Sequence, residues 1–177
     1  VMAIGRTFRE SFQKALRSLE TGTCGLDEPD YSKPPGPPEA VLEKLLQFPS
    51  SQSIWFVADA MRLGFENEEL YEITGIDPWF LRQLQQIHEA EGKIAASGES
   101  ISMREAKKLG FSDKQLAHLG NKTELEVRAA RKSEGVIPTY RLVDTCAAEF
   151  EAFTPYYYST YGDEDEARES DKKKIMI

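Results

Sequence analysis

The chain has 177 residues, 40% of them hydrophobic and 29% charged, with a formal net charge of -8 and a pI near 4.9. That length suits one domain with a real core. The acidic balance argues against a broad basic face for nucleic acid or an anionic membrane. Cys24 and Cys146, the only cysteines, are far apart and lack metal-ligand neighbours, which fits a reducing compartment better than a disulfide scaffold.

Val1–Gly5 reads as a buried strand with nothing ahead of it to pair with, and is too short for the apolar core of a signal peptide. Thr7 and Glu10 stand at capping-box spacing. Phe8, Phe12, Ala15, Leu16 and Leu19 then repeat on one helical face, with Gly22 and Gly25 as the stop. From Asp27 to Pro38 five prolines forbid regular structure and mark a linker between two bodies.

A run of short helices is expected beyond it. Glu39–Phe48 carries Val41, Leu42, Leu45 and Leu46 on one side. Ser53–Leu63 carries Ile54, Trp55, Val57, Ala58 and Met61, with Gly64 at the C-cap. Its apolar run, Ile54 to Met61, is the best in the chain, is broken by Asp59 and falls far short of a membrane span. Asn67–Thr74 is closed by Gly75. Asp77-Pro78 opens a longer helix, because Asp supplies a cap oxygen and Pro costs nothing in the first turn. It should run to about Ala96 with Phe80, Leu84, Ile87 and Ile94 buried.

Ser102/Glu105, Ser112/Gln115 and Thr123/Glu126 repeat the capping-box spacing, and Gly110, Gly120 and Gly135 supply stops. Ile101–Glu134 is therefore a compact array of three helices. Tyr140, Leu142 and Val143 look extended, and Thr145–Phe150 looks like a buried turn. Tyr156, Tyr157, Tyr158 and Tyr161 form an aromatic tail that needs a surface to lie on. Asp163–Lys174 is a charged, solvated connector, and Lys174–Ile177 begins another buried strand.

Chemistry is hard to find in this pattern. His88 and Glu91 are three apart on a helix, a spacing that could serve a metal. A helical-bundle metal site needs more ligands from facing helices, and none is supplied. His118, beside Ala117 and Leu119, reads as a partly exposed packing residue. Cys146 could act as a nucleophile, but its small neighbours favour a packed thiol. The glycines occur singly at helix ends, so no phosphate loop is present. Carboxylates are plentiful, yet Glu66–Glu72 and Asp163–Glu169 read as solvated, and no buried acid–base pair stands out. Arg104, Lys107, Lys108, Lys114, Lys122, Arg128, Arg131 and Lys132 give the three-helix array a helix-turn-helix rhythm with a basic bias. Glu105, Glu124, Glu126 and Glu134 balance it, so a solvated face is preferred and a nucleic-acid-binding module is the alternative. A small enzyme using Cys146 or His88 ranks third. Trp55, Tyr71, Trp79 and Phe80 are core residues by default, or part of a face for another subunit.

One resemblance organises these readings. Val143-Asp-Thr-Cys-Ala-Ala-Glu-Phe150 and Thr154-Pro-Tyr-Tyr-Tyr-Ser-Thr-Tyr161 resemble a segment of the carbamoyl-phosphate synthase large chain. Val1-Met-Ala-Ile-Gly-Arg-Thr7, Ile54–Arg62, Ile76–Leu81 and Lys174–Ile177 resemble the same family in the same order. The resemblance implies a mainly α oligomerisation domain with strand fragments of its neighbours at both ends. Its parts would be 1–22, the end of a first ATP-grasp half; 23–38, a Pro-rich linker; 39–162, the helical domain; 163–174, a charged linker; and 175–177, the first strand of a second half.

It also implies a cytoplasmic parent ligase that makes carbamoyl phosphate from bicarbonate, ammonia and two ATP for arginine and pyrimidine synthesis. That parent uses magnesium or manganese, and a glutaminase small chain supplies its ammonia. The ATP- and metal-contacting residues of the family match nothing here, so no catalytic, cofactor-binding or metal residue is assigned. The expected partners are the flanking halves and a second large chain, met through the helices of Ser53–Ala96, and neither nucleic acid nor membrane.

Overall fold

The computed structural model describes residues 1–26, 39–96, 101–147, 149–150, 156–167, 170–171 and 173; within it, the side chains of 39–41 are not described. The prolines of the linker expected at 23–38 and the strand expected at 175–177 lie outside the described residues. Those that are described form helices α1 Phe8–Ser18, α2 Glu39–Gln47, α3 Ser53–Arg62, α4 Asn67–Thr74, α5 Pro78–Ala95, α6 Met103–Lys108, α7 Asp113–Leu119 and α8 Glu124–Ser133. Strands β1 Thr139–Val143 and β2 Tyr156–Thr160 follow. They pair antiparallel, with Thr139 opposite Thr160 and Val143 opposite Tyr156. The fold is mainly α, as the helical periodicity predicts.

The helix starts obey their caps. Thr7, Ser102, Ser112 and Thr123 each accept the backbone N–H three residues on, and Asp77 accepts from Trp79 at 2.8 Å. Each bond satisfies a donor that the first helical turn leaves orphaned. Glu105 and Glu126 complete their boxes by accepting the N–H of Ser102 and Thr123. Gln115 does not; its side chain is buried and donates to Glu91 at 3.1 Å. The ends of α3, α6 and α8 share one device. Gly64, Gly110 and Gly135 adopt positive φ, and the next residue's N–H reaches back to Ala60, Ala106 and Arg131 respectively, which is the Schellman arrangement. After α7 the left-handed position falls on Asn121 at φ 49, not on Gly120.

One core runs through the helices. Leu42 and Leu46 of α2, Trp55, Val57, Ala58, Ala60 and Met61 of α3, and Leu70 of α4 are buried in it. They meet Leu81, Leu84, Ile87 and Ala90 of α5, then Ala106, Leu116, Ala117 and Val127 from the last three helices and Phe111 from the loop between α6 and α7. Trp55 Nε1 donates to Gly25 O at 3.1 Å, fastening the segment after α1 to α3.

Several expectations need correction. Val1–Gly5 forms no strand, and Val1 is 79% exposed; a strand requires a partner ladder, and no strand is paired with it among the described residues. Helix α1 stops at Ser18, before Gly22 and Gly25, with Glu20 in the left-handed region at φ 54. Leu19 is exposed, while Glu10 and Gln13 are buried, because α1 is covered on its polar side as well. On α5 the buried stripe begins at Leu81, and Phe80 is exposed. Residues 145–147 form an exposed turn, with Cys146 only half-buried, and Phe150 beyond it is exposed. Asp144 Oδ1 accepts the Cys146 N–H at 3.1 Å, a local turn closure that needs no core.

Candidate functional site

Buried charges hold the hairpin against the helical array. Asp113, at the start of α7, lies between Lys107 of α6 and Arg131 of α8. Lys107 Nζ is 2.8 Å from Oδ1, and Arg131 donates through Nε and Nη2 at 3.0–3.1 Å. The remaining donors reach carbonyls: Lys107 to Phe111 at 2.6 Å and Arg131 to Val136 at 2.9 Å. Burial favours raising the Asp113 carboxyl, but hydrogen bonds and charges from Lys107 and Arg131 outweigh it and hold it below the usual range. Burial lowers Lys107. The Tyr161 ring sits 5.0 Å from Lys107 Nζ and 5.7 Å from the Arg131 guanidinium carbon, a cation–π contact to both. Burial raises the Tyr161 phenol.

A second network joins α1 to β2. Glu10 accepts from the Arg6 N–H at 2.7 Å, from Lys14 at 2.8 Å and from Thr160 Oγ1 at 3.1 Å. Lys14 also donates to Ser159 O at 2.5 Å and lies 5.8 Å from the Tyr158 ring. Of the four tyrosines expected to need a surface, Tyr158 and Tyr161 have one. Tyr156 and Tyr157 are exposed.

These contacts redistribute the basic residues of the three-helix array. Lys107 and Arg131 are buried on Asp113, where a solvated face was expected. Arg104 and Lys108 stand 3.7 and 3.6 Å from Asp163. A groove-reading surface needs cations free for phosphates, and four of the eight are turned toward carboxylates; the nucleic-acid reading finds no support.

The structure brings His88, Glu91 and His118 to one open cleft of about 380 Å³, together with Arg62. Sequence spacing gave no hint of the His118 approach, which depends on α7 packing against α5. Glu91 is buried, with Gln115 at 3.1 Å and Arg62 at 3.5 Å. Burial and then the Arg62 charge lower His88. Among the described residues no group of three or more His, Cys, Asp and Glu side chains is placed to hold a metal, and no helix is long and apolar enough to cross a membrane.

What the surface does offer is apolar area. Leu45 and Phe48 point outward at the end of α2, Phe48 being 72% exposed, and Tyr71 on the neighbouring α4 is 49% exposed. Where α1 meets the start of α5, the Phe8 ring lies 5.4 Å from Phe12 and 5.3 Å from both Trp79 and Phe80. Trp79 and Phe80 meet edge to face at 5.0 Å and remain 45% and 43% exposed. Exposed aromatic groupings of this kind mark association surfaces.

Residues 1–135 match the family model described as carbamoyl-phosphate synthetase large chain, oligomerisation domain. Curated relatives agree with it. The chain is 45% identical over 188 residues to the carbamoyl phosphate synthase large chain of Archaeoglobus fulgidus, covering 100% of this chain and 17% of that protein. It is 50% identical over 180 residues to that of Nostoc sp., covering 99% and 16%. It is 48% identical over 182 residues to that of Neisseria meningitidis serogroup B, covering 100% and 16%. The chain thus spans 16–17% of the length of these relatives.

Proposed function

The chain belongs to the oligomerisation-domain family of the carbamoyl-phosphate synthetase large chain, and on that premise we propose that it is the non-catalytic connector of such an enzyme. It joins and spaces the two catalytic halves, and one helical face binds the same face of a second large chain, as an isologous contact requires. Residues 1–22 finish the first half, 23–38 link it to the helical domain of 39–162, 163–174 lead out, and 175–177 begin the second half. The parent in this reading is a cytoplasmic ligase that makes carbamoyl phosphate from bicarbonate, glutamine-derived ammonia and two ATP. ATP and magnesium or manganese are held outside these residues, and a glutaminase small chain delivers the ammonia.

The observation that carries the reading is exposed apolar area at two places, the rings of Phe8, Trp79 and Phe80 and the side chains of Leu45, Phe48 and Tyr71. The Phe8–Trp79–Phe80 patch already joins α1, the tail of the first half, to the helical domain. Its open side suits the rest of that half. Leu45, Phe48 and Tyr71 are exposed on the helical domain alone, around the mutually packed α2 and α4, which suits a second copy.

Light scattering across a range of concentrations tests this. The mass should rise with concentration, and Phe48→Glu with Tyr71→Glu should abolish the rise while Trp79→Glu leaves it. A strict monomer at the highest concentration, or a rise insensitive to Phe48 and Tyr71, would rule this interface out.

A further inference from the structure

The acidic run after β2 does not simply trail into solvent. In an antiparallel pair alternate residues face the partner strand, so Tyr140 and Leu142 of β1 turn their N–H groups to the outer edge. Asp165 Oδ1 accepts the Tyr140 N–H at 3.2 Å, and Glu166 Oε2 accepts the Leu142 N–H at 2.6 Å. The Glu166 N–H in turn donates to Tyr140 O at 2.8 Å. Arg141 holds the same run from its side chain, pairing with Glu164 and, at 3.2 Å, with Glu166. Asp163 stands 3.6–3.7 Å from Lys108 and Arg104 of α6. The outer edge of β1 is therefore occupied by a segment that is not a strand.

We propose that Asp163–Glu166 is a detachable clasp that keeps the outer edge of β1 closed. An open edge is a template for pairing with any extended chain, and the clasp satisfies the edge donors of Tyr140 and Leu142 from within. Two of its three edge bonds end on side-chain carboxylates, and residues 163–167 are exposed. Exposed ion pairs contribute little and are screened by salt, so the clasp opens far more readily than the β1–β2 ladder beside it. The acids supply acceptors in place of a third strand's carbonyls, and Arg141 fixes their register.

Hydrogen exchange on the intact large chain, read at single amides by fragmentation mass spectrometry, tests the clasp. In Asp165→Ala/Glu166→Ala, exchange at Tyr140 and Leu142 should quicken at least ~10-fold while Arg141 and Val143, which face β2, keep their protection. Arg141→Ala should act in the same direction, and raising the salt about tenfold should do so in the unsubstituted protein. Unchanged exchange at Tyr140 and Leu142 in both variants would overturn the proposal. So would equal loss at Arg141 and Val143, since the segment would then be part of the hairpin's own stability.

Discussion

Arg131 closes on Asp113 as a fork, with Nε and Nη2 donating to one carboxylate at 3.0–3.1 Å. Lys107 occupies the other side of that carboxylate at 2.8 Å, so one anion compensates two buried cations. Removing one partner of a buried pair costs more than the pair contributes, because the remaining charge stays buried. Asp113→Asn should therefore destabilise the chain by about 3 kcal/mol, measured by urea unfolding. The sign with pH follows from the depressed Asp113 carboxyl: its contribution is present above the ordinary carboxylate range, and is lost as pH falls below about 4. Lys107, lowered by burial, works the other way. Its charged form costs stability until the pH rises toward the lysine range. A substituted chain that unfolds at the same urea concentration as the original would show that the triad contributes nothing.

Gly110 combines two constraints that a paired substitution separates. It lies at φ +99, and an added Cβ would come within 2.9 Å of Glu10 Cα and 3.2 Å of Arg9 O. Gly64 lies at φ +91 with nothing within 4 Å. Alanine at position 64 should show the backbone strain alone, about 1–2 kcal/mol. At position 110 it should also push α1 away from α6, at a cost well above that, and weaken the bond from Arg17 Nη1 to Gly110 O at 2.6 Å. Equal destabilisation of the two variants would mean that α1 yields freely.

Local chemistry was legible and long-range chemistry was not. The caps at Thr7, Asp77, Ser102, Ser112 and Thr123 depend on neighbours two or three residues away, and the local pattern alone located their helices. Phe80 and Leu81 exchange roles because the face that α5 buries is set by α3 and α4, which periodicity within α5 does not report. Lys107 and Arg131 looked solvated because their common partner, Asp113, is six residues from one and eighteen from the other. The β1–β2 register spans a gap longer than any tight turn, so Tyr156–Thr160 read as an aromatic tail without a partner. The family was legible from the Val143–Phe150 motif, whose described residues beyond β1 lie outside the buried core. Of the residues proposed to meet a second copy, Tyr71 lies within the expected Ser53–Ala96 range and Leu45 lies outside it. Phe48 also lies outside it, because a large apolar residue at a helix end reads as core.

The three capping sites of α6–α8 should respond differently to truncation. Ser102→Ala and Thr123→Ala each remove a cap oxygen and the partner of an exposed Glu, so each should cost about 1 kcal/mol. Hydrogen bonds from Ser102 and from Thr123 hold Glu105 and Glu126 below the usual range, and NMR titration should find each returning upward in its variant. Gln115→Ala should cost more than either, since that side chain is fully buried and bonded to Glu91. Gly25 packs so close to it that an added Cβ would lie 2.4 Å from Gln115 Nε2. A Gln115→Ala cost below that of the caps would place the stability of this region elsewhere.

His88 should make the chain acid-sensitive in a window above that of Asp113. Its imidazole is lowered by burial and then by the Arg62 charge, against a smaller raising effect of Glu89. A group that binds its proton less readily when folded stabilises the fold above its unfolded pKa, near 6.5, and loses that contribution as pH falls through the folded value. Urea unfolding of the original chain should therefore weaken between pH 7.5 and pH 5. His88→Gln, which keeps a polar side chain of similar reach without the titration, should weaken less over the same interval. The Arg62 charge adds to the effect of burial, so Arg62→Met should reduce the acid sensitivity in part, although it lowers stability at every pH by leaving Asp59 without the 2.8 Å contact to Nη1. Identical pH slopes in the original and His88→Gln chains would assign the acid sensitivity to other groups.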